Sequence, residues 1–161
     1  IVFGDWSSDV CSSDLLKGND LLKYAMIGIL IGIFTGPIEH WVLKPAPSFP
    51  TFELKYLLRD IVYMTFFVGL GEELLFRGLI QNDLIKTFDT KTGILGQALL
   101  FAVMHMTWRS PLEIAFTFFA GILFGILYHR TGTLTASITF HGMNNVMLVS
   151  ILPYYFAGLL I

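Results

Sequence analysis

Six polar side chains interrupt stretches of this sequence that are otherwise apolar: Glu72, Glu73, Arg77, His105, His141 and Asn145. Their types form a hydrolytic set. A carboxylate can take a proton from water, and an imidazole can orient that water or shuttle the proton. A second imidazole and an amide can donate hydrogen bonds to an oxyanion as it develops. Such a set suits peptide hydrolysis. Ser137 shares a helix face with His141, but no Ser or Cys stands in a nucleophile motif, so water is the expected attacking group.

Helical spacing divides the six. Glu73 and Arg77 stand four apart and can pair along one face. Glu72 lies about 100° around the same helix and must face another element. His141 and Asn145 are also four apart, with Glu72 and His105 as their expected partners. Three unpaired charges near the middle of an apolar span would cost up to about 9 kcal/mol, so pairing or a wet cavity is required. The bland reading is an ion-pair network that clamps helices together. The sharper reading is a functional site.

The elements that hold these residues follow from composition. Hydrophobic residues make up 55% of the 161, charged residues 14%, and mean hydropathy is +0.70. Soluble domains carry about 25% charged residues. Spanning a bilayer takes about 20 largely apolar residues, and candidate segments fall at 24–43, 61–80, 94–108, 112–128 and 134–152. The pattern predicts an all-α, polytopic transmembrane bundle of about five spanning helices. Strands are excluded by the lack of period-two alternation and by the cost of an open sheet edge in lipid. The third and fourth segments are short and read as a hairpin turning at Arg109-Ser110-Pro111.

Pro45, Pro47 and Pro50 stiffen the longest link, and Thr133 is the expected N-cap of the last helix. Gly28, Gly32 and Gly36, and separately Gly121 and Gly125, form small-residue stripes suited to close helix packing, with helix-mediated self-association as their alternative use. Glu39 and His40 are expected to snorkel to the interface. Glu113, His129 and the phenylalanines at 116, 118, 119 and 124 receive surface or packing readings. A net charge of −2 without a Lys/Arg run argues against a nucleic-acid partner. Outside the site, basic residues divide five against four between the two ends of the bundle, which gives no positive-inside signal and leaves its orientation open.

The first fifteen residues stand apart. Asp5–Leu15 is polar, repeats Ser-Ser-Asp, and reads as the translation of a common short-read sequencing adapter, so 1–15 is set aside as non-native. Cys11, the only cysteine, goes with it. The native chain is expected to extend upstream. Residues 16–55 then carry the first helix and the Pro-rich link, and 56–161 form the core that bears the chemistry.

The three motifs resemble those of the CAAX protease and bacteriocin-processing (CPBP, or ABI) intramembrane peptidases, relatives of the type II CAAX prenyl endopeptidases. The family's Glu-Glu-x-x-x-Arg stands here as Glu72-Glu73-Leu-Leu-Phe-Arg77, its Phe-x-x-x-His as Phe101-Ala-Val-Met-His105, and its His-x-x-x-Asn as His141-Gly-Met-Asn-Asn145. The resemblance implies a multi-pass endopeptidase of the bacterial inner membrane that cuts membrane-associated proteins or peptides. It makes Glu72 the general base assisted by His105, Glu73 and Arg77 the pair that holds the site, and His141 with Asn145 the oxyanion hole. The family is described both as zinc-dependent and as glutamate-type. No His-Glu-x-x-His is present, yet Glu72, His105 and His141 could bind Zn²⁺ and leave Glu73 as base. Asn145 makes better sense as an oxyanion donor, which favours the reading without a cofactor. Buried Glu/His chains also serve proton- or cation-coupled transporters, and an idle immunity scaffold is a third use of the same fold.

Overall fold

The computed structural model describes residues 20–158, so the adapter-like segment 1–15 lies outside the described residues. Within them every regular element is helical, and the helices group into five rods. Helix α1 is Leu21–Leu43. Helix α2 covers 54–87 and changes pitch along its length: Leu54–Val62 is α-helical, Tyr63–Gly69 a wide π stretch, Leu70–Glu73 a tight turn, Leu74–Gln81 a second π stretch and Asn82–Thr87 α-helical again. Helix α3 is Thr90–Met104, tightening into the 3₁₀ turn His105–Trp108. Helix α4 is Pro111–Thr131. Helix α5 runs Thr135–Val146 and continues through a π turn, Met147–Ile151, into Leu152–Phe156.

Local chemistry sets the ends. The Asp89 carboxylate accepts the Thr92 amide at 2.9 Å and caps α3. Arg109 turns left-handed at φ 55°, the Ser110 hydroxyl accepts the Glu113 amide at 3.2 Å, and Pro111 opens α4. The α3–α4 hairpin is therefore built at the predicted residues. Gly132, at φ 60°, closes α4. The cap position of α5 falls on Leu134 rather than Thr133, although the Thr133 hydroxyl still accepts the Thr135 amide at 3.3 Å.

The glycine stripe of α1 lies against α5. A Cβ on Gly32 would sit 2.7 Å from the Phe140 carbonyl oxygen, so the two backbones pack where no side chain fits. That face is occupied within the chain and is not open for self-association through these glycines. Gly142 likewise lets α5 approach α2: a Cβ there would lie 2.8 Å from Cα of Thr65.

The distribution of polarity is inside out. Helix α1 buries Gly28, Gly32, Gly36, Glu39 and His40, while Leu22, Phe34 and Trp41 are 73–75% exposed. In water that arrangement would be costly; in lipid it is the stable one. Helices α1 and α4 are each long and apolar enough to cross a membrane. The expected snorkelling of Glu39 and His40 does not occur, since they are 5% and 6% exposed. Asn144 of α5 stands opposite and hydrogen-bonds Glu39, and the His40 ring stacks on Phe156 at 5.1 Å. Glu113 is also buried. Phe124 belongs to the interior with Phe76, Phe101, Ala120 and Phe140, whereas Phe119 points outward.

Candidate active site

The site grows from the tight turn of α2. Glu73 and Arg77 pair at 2.9 Å with both side chains fully buried. The Arg77 guanidinium lies between the rings of Phe101 and Phe124, 4.5 and 4.7 Å from their centroids, and donates to the Gly121 carbonyl at 3.3 Å. A planar, delocalised cation suits this slot, which combines two aromatic faces with in-plane acceptors. Charge, stacking and hydrogen bonding together offset the cost of burying the ion.

Glu73 has a second duty. Its Oε1 lies 3.1 Å from His141 Nδ1 and accepts that N–H. The imidazole stacks on Phe124 with centroids 5.2 Å apart, and Phe101 presents its edge at 5.8 Å. With Nδ1 engaged, Nε2 faces Glu72, whose Oε2 is 3.8 Å away. Glu72 differs from its neighbour in one respect that matters chemically. Its side chain keeps 26% exposure, whereas that of Glu73 is fully buried. Gly71 beside it opens onto free space. Glu72 is the carboxylate left available to a water molecule.

His105 sits where α3 tightens. Its Nδ1–H donates to the Phe101 carbonyl one turn back at 2.9 Å, and its ring lies 4.7 Å from the Phe101 ring. The Phe-x-x-x-His spacing thus has a local physical cause, and it leaves Nε2 free. Asn145 is half-buried one turn beyond His141, and no side-chain hydrogen bond joins it to Glu72 or His105. The structure therefore brings Glu72, Glu73, Arg77 and His141 into one line, with His105 and Asn145 unbonded to it. The Ser137 hydroxyl donates to the Leu134 carbonyl at 3.0 Å and is fully buried. No three His, Cys, Asp or Glu side chains among the described residues are arranged to hold a metal ion.

Several supporting residues escaped sequence reasoning. Gln97 Nε2 donates to the Gly121 carbonyl at 2.8 Å and Gln81 Nε2 to that of Gly125 at 3.1 Å. A Cβ on Gly125 would lie 2.7 Å from both amide side chains, so this stripe lets buried amides reach the α4 backbone. Of the two neighbouring asparagines on α5, Asn144 is the one that reaches α1: it donates to Glu39 and accepts the Thr35 hydroxyl at 2.6 Å. A signal was present for the glutamines. Residues 73, 77 and 81, and 97, 101 and 105, are single helical stripes through motif positions.

An all-helical bundle with an ion pair, an imidazole and a partly open carboxylate aligned in its interior defines a class before any comparison. Residues 54–147 match the model of the type II CAAX prenyl endopeptidase Rce1-like family, and the chain belongs to that family. The uncharacterized protein YpbD of Bacillus subtilis (strain 168) is 30% identical over 88 residues, covering 54% of this chain and 42% of that protein. The chain thus spans less than half the length of this relative. No solved structure matches it. The family is membrane-embedded, in keeping with the outward apolar surface of α1.

Proposed function

We propose that the chain is an intramembrane endopeptidase that activates water with Glu72 to cut membrane-associated proteins or peptides. The observation that carries this reading is the division of labour along α2. Glu73 is committed to Arg77 and His141, while Glu72, its neighbour, is partly exposed beside open space. Water bound there gives a proton to Glu72 as its oxygen attacks the carbonyl carbon. His141 and Asn145 donate to the oxyanion, each donor being worth about 10²–10³ in rate. Collapse of the tetrahedral intermediate breaks the C–N bond, and the proton held by Glu72 passes to the leaving amine. His105, with Nε2 free, orients the water and assists that transfer. The products are a carboxylic acid and an amine. No step runs through a metal. The membrane-embedded family supports placing the chain in a membrane, and the reading here is a multi-pass protein of a bacterial cell membrane.

The test uses the purified chain in lipid nanodiscs with two substrates, a prenylated CAAX-type peptide and an unprenylated membrane peptide. Wild type cleaves at least one of them, Glu72→Gln loses cleavage by about 10³-fold or more, and a chelator changes neither result. Loss with chelator and recovery with zinc would replace the bare carboxylate by a metal centre. A wild type that cleaves nothing would sink the peptidase reading. One observation favours a second reading, proton- or cation-coupled transport: buried polar residues continue past the site to Gln81 and Gln97 on one side and Glu39 and Glu113 on the other. Glu72-dependent flux in proteoliposomes without hydrolysis would establish it.

A further inference from the structure

A cavity of about 480 Å³ lies at the C-terminal end of α1, among Pro37 of that helix, Pro45 and Pro47 of the link that follows, and Pro153 near the end of α5. Its lining residues all fall outside the segment matched by the family, 54–147, and none belongs to the three motifs. Proline rings suit such a wall, since they are apolar and rigid and carry no N–H that needs a partner. The link is also fastened down. The Phe49 amide donates to the Tyr154 hydroxyl at 2.8 Å, and the Phe49 ring stacks on Tyr56 at 4.1 Å with the Arg59 guanidinium 4.6 Å from its centroid. Asp60 pairs with Arg59 and accepts the Ser150 hydroxyl at 2.6 Å, which ties this clasp to α5. The cavity is thus held open by fixed walls on three elements.

Two basic side chains also line it. The His40 imidazole is buried, and its Nδ1 has no hydrogen-bond partner among the described residues. Lys44 is exposed, and its ammonium makes no ion pair among the described residues. Helix α1 has 23 residues, a rise of about 35 Å against about 30 Å of hydrocarbon. A helix of that length crossing the bilayer brings Lys44 to the headgroups. Trp41, which lines the cavity and is 75% exposed, then stands where interfacial aromatic belts form. We infer that this cavity binds an anionic membrane phospholipid, an acyl chain lying among the prolines and the phosphate meeting Lys44. Charge selects the occupant, because basic pockets at headgroup level favour anionic lipids. The volume falls within the range of small-ligand pockets, about 300–1,000 Å³. The site goes beyond the peptidase reading, since lipid binding is expected whether or not the chain cuts peptides.

The experiment titrates the purified full chain in detergent with phosphatidylglycerol and with phosphatidylcholine of identical acyl chains, and follows bound lipid by native mass spectrometry. Wild type holds one phosphatidylglycerol about fivefold more tightly than phosphatidylcholine, as expected of one basic side chain. Lys44→Asn tolerates the left-handed backbone at φ 46°, removes that preference and leaves phosphatidylcholine binding unchanged. Ala157→Trp, at an exposed lining position, fills the cavity and abolishes the site for both lipids. Equal affinity of wild type for the two lipids would overturn the inference, as would an Ala157→Trp variant that keeps the phosphatidylglycerol site. Displacement of the lipid by inorganic phosphate would make this a site for a free anion, and displacement by a prenylated peptide would give the cavity to a substrate tail. Either result replaces the phospholipid as occupant. The wild-type comparison needs no variant, so it still decides if a substitution unfolds the chain.

Discussion

At the scale of single residues, this molecule gives chemically identical neighbours different work by a rotation of about 100° along a helix. Asn144 and Asn145 show it as clearly as Glu72 and Glu73. Asn144 is buried and bonded to Glu39 and Thr35, whereas Asn145 is half-buried and holds no partner in the resting site. Asn145→Ala should therefore lower kcat by about 10²–10³ and leave the thermal midpoint unchanged, while Asn144→Ala should lower the midpoint. Activity and melting of both variants in one detergent check the exchange, and equal effects on both readouts would refute it. Arg77 sits at the opposite extreme. Arg77→Ala strands Glu73 in the interior and should destabilise by about 3–5 kcal/mol. Arg77→Lys should recover only part of this, because an ammonium cannot lie flat between Phe101 and Phe124 while reaching Gly121. Denaturant titration of both variants gives the comparison. The motif residues were legible because a charge in an apolar run demands a partner. Glu39 was not, because its partner Asn144 lies 105 positions away and no local pattern encodes that pairing.

At the scale of elements, the helices were legible where hydropathy and helix length coincide. The segment read at 61–80 extends to 54–87, because the ends Leu54–Val62 and Asn82–Thr87 continue the helix with more polar sequence. A hydropathy window reports compatibility with lipid, not where the backbone hydrogen bonds stop. The π stretches on either side of Leu70–Glu73 were not legible at all, since they depend on how α2 packs. Caps are local and were partly readable. Asp89, between α2 and α3, is held below the usual carboxylate range by the Thr92 amide and then the Thr92 hydroxyl. A depressed folded value means that the cap stabilises above the unfolded value, near about pH 4. That stabilisation is lost as pH falls through the folded value. The thermal midpoint of Asp89→Ala should thus fall below wild type at neutral pH, and the gap should close in acid. A gap independent of pH would contradict the cap.

At the scale of the whole molecule, composition alone fixed the class of bundle, and the inside-out burial of α1 is its structural counterpart. The same logic governs how water reaches the site. A peptidase in lipid must admit water to Glu72 while keeping it from the outer apolar faces, and the two surfaces can be separated by position. Gly71 is exposed, borders Glu72 and has room for a side chain, whereas Phe119 is exposed on the outer face of α4. Both count as surface by accessibility, but they face different solvents if α4 spans the bilayer. In a Cys11→Ser background, a membrane-impermeant thiol reagent should label Gly71→Cys in nanodiscs and leave Phe119→Cys unmodified, while a lipid-soluble reagent labels both. Equal labelling of the two positions by the impermeant reagent in intact nanodiscs would show that α4 does not lie against lipid. It would also return the apolar surface to the role of a protein interface.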